Sequence, residues 1–131
     1  MKKKVNFRRR SPSQVFKHHG RAGERRDVDA YVSDFSPQSI LITPNQVYQG
    51  RRGVRKWILR FWGQLQDAKF RALSVTRTGG VIFVRYDCRA KRYRISDGVA
   101  TFIVTNGYFS VLTNHYTLTP RGRGKKAKAG S

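Results

Sequence analysis

Cysteine, histidine and acidic residues are all scarce in this chain. Cys88 is the sole cysteine, so no intrachain disulfide can form and the staple of small secreted domains is missing. Three histidines, at 18, 19 and 115, match no metal-ligand spacing with it, and no metal site is expected. No apolar run approaches the length of a membrane span. The opening Met1-Lys2-Lys3-Lys4 has the charge of a signal-peptide start, but Phe7 leads straight into three arginines. A soluble, cytoplasmic protein is expected. Gly79-Gly80 lacks the helix start and the Lys-Ser/Thr of a phosphate loop, and no cofactor is expected either.

Negative charge is the deepest shortage. The 131 residues hold 7 Asp+Glu against 28 Lys+Arg, a net charge of +21. Eleven of the basic residues sit at the two ends, which leaves 17 basic against 7 acidic residues in the body, still a net +10. Such a field attracts nucleic acid, anionic membrane surfaces and acidic proteins. The length is that of one domain, and 38% hydrophobic residues suffice for one core.

What is present is strong local patterning. Residues 97–105 and 108–119 are rich in β-branched and aromatic side chains and flank Asn106-Gly107. A two-residue type I′ turn needs positive φ at both positions, which Asn and Gly tolerate at least cost. Continued regularly, the hairpin places Val104 opposite Phe109, Phe102 opposite Val111, Ala100 opposite Thr113 and Gly98 opposite His115. That face is expected to meet the core. Ser11-Pro12 opens a helix over 12–25, and Asp27 caps a second, short helix that Ser36-Pro37 ends. Residues 39–43 form a short strand, with a brief return at Val47-Tyr48. Gly50 opens a third helix, in which Val54, Trp57, Ile58, Phe61, Trp62 and Leu65 form one apolar stripe. Strands follow at 69–78, 81–89, 92–105 and 108–119. Segregated helices and strands predict an α+β domain over 11–119. A disordered basic arm over 1–10 and a disordered basic tail over 120–131 are expected to flank it.

The ordered set of motifs resembles the nuclear-transport-factor-2-like superfamily, in the branch of SnoaL-like polyketide cyclases and ketosteroid-isomerase-like proteins. The residues that carry it are His18-His19-Gly20-Arg21-Ala22 running into Asp27-Val28-Asp29-Ala30, Leu41-Ile42-Thr43-Pro44, Val47-Tyr48-Gln49-Gly50-Arg51, Asp97 through Phe102, Asn106-Gly107 and His115-Tyr116-Thr117-Leu118. The resemblance implies a cone: a curved antiparallel sheet wrapped around three helices, with a cavity between them and a homodimer through the sheet's open face. It says little of activity. In the steroid isomerases the cavity holds a carboxylate base, a phenol and a protonated carboxylic acid. Those positions correspond here to Thr43, His19 and Ala100. Steroid isomerase activity is therefore not expected. If the protein is an enzyme, the resemblance points to cofactor-independent isomerase, cyclase or lyase-like chemistry.

His19, on the apolar stripe of the first helix, and His115, on the hairpin face, are the candidate acid–base pair. Asp97 is a candidate orienting partner beside a bulge at Gly98. A hydrogen-bonded core histidine and a structurally paired carboxylate are the commoner roles for such residues. His18, one residue off the stripe, is expected in solvent. Trp57, Phe61, Tyr86, Phe102, Thr43, Val111 and Thr113 are the candidate lining of a cavity for a small apolar ligand. Arg51, Arg52, Arg55, Lys56 and Arg60 cover the rest of the third helix and form a candidate polyanion surface. Relatives usually carry acidic residues where this chain has Ser36-Pro37-Gln38-Ser39 and Arg52. A strongly basic scaffold, of natural or supercharged origin, that binds nucleic acid or other polyanions without sequence preference is therefore the alternative reading.

Overall fold

The computed structural model describes residues 6–122. Ser11 caps α1 (Pro12–Arg25): its hydroxyl accepts from Gln14 N while the Gln14 side chain accepts from Ser11 N, a reciprocal capping box. Arg26, at φ 51, terminates the helix. Asp27 then caps α2 (Val28–Ser33) through Ala30 N. The chain leaves α2 earlier than Ser36-Pro37 suggests, because β1 (Phe35–Ile42) already begins at Phe35. Pro37 is accommodated in an irregular stretch of β1 between Phe35 and Ile40, where the strand detaches from its partner. The pair β1–β2 (Val47–Gln49) leads into α3 (Gly50–Gln64), whose buried face is Val54, Trp57, Ile58, Phe61 and Trp62.

The remaining strands are β3 (Lys69–Thr78), β4 (Val81–Arg89), β5 (Tyr93–Thr105), β6 (Tyr108–His115) and β7 (Thr119–Pro120). They form one mixed, curved, unclosed sheet in the order β2-β1-β6-β5-β4-β3, with β7 paired to β5. This is the expected α+β cone, with one departure. β1 lies parallel to β6, so the antiparallel meander is extended at its β6 edge by the β1–β2 hairpin. The helices fill the concave side, and the core runs from Val15 and Ala22 through the α3 stripe to Ile82, Ile95 and Leu112.

Two bulges decide which side chains face inward. Asn106 (φ 51) and Gly107 (φ 78) make the expected turn, and Val104 pairs with Phe109. The next pair is Ile103 with Val111. Ser110 is the extra residue, its hydroxyl turned onto Ile103 O. One added residue inverts everything beyond it. Phe102 therefore pairs with Leu112 and Ala100 with Asn114, not with Val111 and Thr113. The second irregularity lies between Tyr86–Gly98 and Cys88–Ile95, beside Asp97.

Both ends are more ordered than expected where they are described. Phe7–Arg9 forms a single 3-10 turn, and Phe7 stacks on Tyr108 at 6.2 Å. Thr119-Pro120 belongs to the sheet, and Arg121 bonds Ala90 O and Arg92 O. The rest of the expected arm and tail, 1–5 and 123–131, lies outside the described residues. Among the described residues, no helix is long and apolar enough to cross a membrane.

Candidate functional site

A carboxylate that sequence patterning passes over anchors the site. Asp34 follows α2 directly, and its side chain is fully buried. Arg10 Nη1 donates to Oδ1 at 2.7 Å, and His18 Nδ1 stands 2.7 Å from the same oxygen. His19 Nδ1 lies 3.0 Å from Oδ2. A carboxylate only accepts, so both rings present Nδ1–H to it. Burial alone pushes the Asp34 pKa up, but the hydrogen bonds and charges of His19, His18 and Arg10 together hold it below the ordinary value. Arg10 also donates to Gly107 O at 2.8 Å and so ties the amino-terminal turn to the β5–β6 turn. His18 is thus a half-exposed partner of Asp34, not the free surface residue that its position off the stripe suggests.

His19 is the member that reaches the cavity. Its ring sits among Tyr31 (centroids 4.0 Å apart), Phe109 (4.8 Å), Phe35 (5.6 Å) and Phe102 (5.7 Å). Burial lowers its pKa despite the opposing pull of Asp34, so the ring is neutral at neutral pH. With Nδ1 carrying the proton, Nε2 carries the lone pair. That atom is buried without a hydrogen-bond partner among the described residues. An unsatisfied buried nitrogen costs free energy, and it is the feature a proton donor or an acidic C–H of a ligand would relieve.

The cavity holds about 610 Å³ between α1, α3 and the sheet. Trp57, Phe61, Tyr86 and Phe102 line it together with Phe16, Ile58 and Trp62. Its buried polar groups are His19, Tyr31, Tyr86 and Asn114, and the more exposed Glu24, Arg26, Lys69 and Arg71 also line it. Tyr86 Oη donates to Asn114 Oδ1 at 2.8 Å, which leaves the amide nitrogen of Asn114 unspent. Burial raises the pKa of both Tyr31 and Tyr86, so each stays a neutral phenol.

The other expected residues fall elsewhere. The Ser110 bulge turns Val111, Thr113 and His115 to the sheet's outer side, and the inward places go to Leu112 and Asn114. His115 and Thr43 line a separate hollow of about 580 Å³ with Tyr48, Arg60 and Gln64, beyond a wall made by Trp57 and Phe61. Those two rings stack at 4.8 Å. Asp97 is exposed and takes hydrogen bonds from Thr117 Oγ1 at 2.7 Å and Thr117 N at 2.9 Å, which lower its pKa. The structure joins His19 to Asp34, and to neither His115 nor Asp97. The arginines of α3 likewise divide: Arg55 pairs with Asp29, Arg60 lines the second hollow, and Arg51 Nε donates to Phe35 O at 2.7 Å. Arg52 and Lys56 remain exposed. Cys88 is buried, and burial pushes its thiol up to about 11, which removes it as a nucleophile.

Among the described residues, no group of three or more His, Cys, Asp or Glu side chains is arranged to hold a metal ion. Around Asp34 the place of a cation is taken by Arg10. The sequence signal for this cluster was slight. Asp34 stands between Ser33 and Phe35, close behind the apolar Tyr31-Val32 pair, and a carboxylate buried there requires a partner.

The profile of the SnoaL-like domain family matches residues 16–126. No curated protein matches the chain in sequence. Among solved structures, an NTF-2-like protein of unknown function from Burkholderia xenovorans superposes with a TM-score of 0.70 at 15% identity, over 95% of this chain and all of that one. A provisionally named ketosteroid isomerase from Kribbella flavida gives 0.70 at 14% identity, over 92% and 90% of the two chains. TerC, co-crystallised with polyporic acid, gives 0.69 at 12% identity, over 81% and 91%. At such identities the likeness is one of fold.

Proposed function

The chain belongs to the SnoaL-like domain family, and from that premise we propose that its cavity binds a small, largely apolar molecule on which His19 moves a proton without a cofactor. The observation that carries this reading is the state of His19: Nδ1 held by a buried carboxylate, Nε2 buried and unpartnered. A neutral imidazole oriented in this way is a general base. Nε2 takes a proton from a carbon next to a carbonyl, and Asp34 stabilises the imidazolium that forms. The electron pair left behind moves onto the carbonyl oxygen, where the Asn114 amide and the Tyr31 phenol are donors. Protonation at another carbon, or closure onto an electrophilic carbon of the same molecule, completes an isomerisation or a cyclisation.

The family resemblance makes sense of the substitutions. Where the steroid isomerases have their carboxylate base, this chain has Thr43, outside the main cavity. The base role passes to His19. Ala100 stands at the position of the protonated acid, and its cross-strand partner is Asn114, so the donor role moves one strand across.

The test needs no known substrate. A panel of apolar cyclic ketones and 1,3-diketones is incubated with protein in D₂O, and loss of the α-proton signal is followed by NMR. Exchange above buffer is expected for some members. His19→Ala should slow it at least about 100-fold, while His115→Ala should leave it within twofold. Equal loss in both variants, or no exchange with any compound, would remove the proton-transfer reading.

The proposal includes a homodimer through the outer face of the sheet. Phe83, Thr101, Thr113, Ile42 and Val47 are successive cross-strand partners there, and Phe83, Ile42 and Val47 are exposed apolar groups. Sedimentation equilibrium should give twice the chain mass, and Phe83→Lys should give a folded monomer. A wild-type monomer at 100 µM would exclude the dimer.

A further inference from the structure

Three residues expected to serve three different roles, Thr43, Arg60 and His115, meet in the second hollow, beyond the Trp57–Phe61 wall. It holds about 580 Å³ between the β1–β2 turn, α3 and the segment that follows β6. The proton transfer proposed for His19 uses none of it. One side belongs to α3, where Trp57, Arg60, Phe61 and Gln64 fall at i, i+3, i+4 and i+7 and so share a face. Trp57 and Phe61 stack at 4.8 Å, and Tyr116 meets Phe61 edge to face at 5.0 Å. The apolar part of the hollow is therefore a set of aromatic faces and edges.

The polar part is cationic. Arg51 donates to Phe35 O and Arg55 pairs with Asp29, whereas Arg60 has no such partner among the described residues. No carboxylate is among the lining residues. Asp97 adjoins the hollow through Thr117, from whose N and Oγ1 it accepts. Burial raises the pKa of the Tyr116 phenol, and the charge of Arg60 opposes that rise, so the guanidinium lies within electrostatic reach of the aromatic wall. His115 and Gln64 add ring and amide N–H groups. The Thr43 hydroxyl is not a free donor. It donates to Gln46 O at 3.3 Å and holds the β1–β2 turn in place as one rim.

We infer that this hollow is a second binding site and that it takes a small planar aromatic carboxylate, its ring against Phe61 and Tyr116 and its carboxylate on the Arg60 fork. The ring follows from the wall, because aromatic faces and edges accept a further ring in stacked or T-shaped contact. The charge follows from a guanidinium with free donors and no acid in the lining. A carboxylate suits one arginine, since its two oxygens meet the planar fork together. A hydrated inorganic anion would leave the aromatic half unfilled. Only Trp57 and Phe61 line both this hollow and the main cavity, so the site stands or falls independently of the chemistry at His19.

The test uses the full chain and 2-naphthoate, with 2-naphthamide as its neutral counterpart. In ¹H–¹⁵N spectra the amides of Gln46, Thr117 and Leu118, which line only the second hollow, should shift as naphthoate is added. Those of Gly20, Gly23 and Ala72, which line only the main cavity, should stay in place. The shifts should give a Kd of about 1 mM or tighter. Naphthamide should bind about tenfold more weakly, and Arg60→Gln should cost naphthoate a similar factor, the loss of one charge-assisted pair. Arg60 is exposed, so its replacement leaves the fold intact. Lys69→Gln removes the same charge from an exposed residue of the main cavity and should cost less than about twofold. Shifts at Gly20, Gly23 and Ala72 in place of the other three would put the probe in the main cavity and overturn the second site. Equal binding of naphthoate and naphthamide would overturn the carboxylate assignment. Equal losses in Arg60→Gln and Lys69→Gln would reduce the effect to net charge and overturn the role of Arg60. No shift at about tenfold the expected Kd would overturn the site altogether.

Discussion

Asp34→Asn is expected to destabilise the protein by about 3–5 kcal/mol, the range for stripping one partner from a buried ion pair. For a domain of this size that lowers the melting temperature by roughly 10–20 °C. The substitution keeps the shape of the side chain and removes only its charge. Arg10, with a side chain 6% exposed, is then a buried cation with no counter-ion. An Asn side chain accepts through one oxygen only, which can serve two donors, so one of the three from Arg10, His18 and His19 loses its acceptor and faces an NH₂ instead. Adding Arg10→Gln should recover part of the loss, because the double variant buries no lone charge. Additive costs would show that the pair is not the source. The pH course follows from two depressed pKa values. The folded state holds His19 below its ordinary 6.5 and Asp34 below its ordinary 3.8. Below each ordinary value the unfolded chain takes up a proton that the folded chain refuses, so the unfolded state gains. Stability should therefore be full above about pH 6.5 and fall in two steps as pH drops, first through His19 and then, below 3.8, through Asp34. Calorimetry across pH 3–8 measures this. His19→Gln should remove the first step, and its persistence would mean that another group sets it.

The same cluster marks where sequence reading stops. Local rules place the elements well, because each depends on neighbours a few residues apart: Ser11 and Asp27 as caps, the α3 stripe, Asn106-Gly107 at the turn. The cavity depends on something else. Ser110 is one residue in a run where every side chain suits a strand, and nothing in its identity says that it adds to one strand without a partner on the other. The cost of that insertion is local, yet it exchanges Val111, Thr113 and His115 for Leu112 and Asn114 at the cavity wall. The candidates drawn from β4, β5 and the helices, Tyr86, Phe102, Trp57, Phe61 and His19, keep their places because no bulge separates them from their own anchors. Asp34 escapes for the opposite reason. Its partners come from residues 10, 18 and 19, and the amino-terminal turn and α1 must first pack beside α2 before a carboxylate set between Ser33 and Phe35 acquires them.

Gly98→Ala should be the most damaging small substitution in the cavity wall, and its sign should depend on Tyr86. The tyrosine ring lies directly over Gly98 of the neighbouring strand, so a Cβ would stand 2.4 Å from its Cζ and 2.5 Å from one Cε. No carbon pair tolerates that separation, and the ring must lift by about 1 Å or leave its rotamer, which overpacking data place at roughly 1–3 kcal/mol. Lifting the ring also draws its hydroxyl away from Asn114 Oδ1, now 2.8 Å distant, and frees the amide that the proposed chemistry needs fixed. Ketone exchange should accordingly fall tenfold or more in Gly98→Ala, and a Tyr86→Phe variant, which keeps the ring and loses only the hydroxyl, should separate the polar share of that loss from the steric one. With the ring gone, the sign of the effect reverses. In a Tyr86→Ala background Gly98→Ala meets no ring, and the lower entropy of the unfolded alanine chain should make it neutral or stabilising by about 0.4–1 kcal/mol. A cost that stays the same in both backgrounds would show that the backbone at Gly98, and not the ring above it, demands glycine.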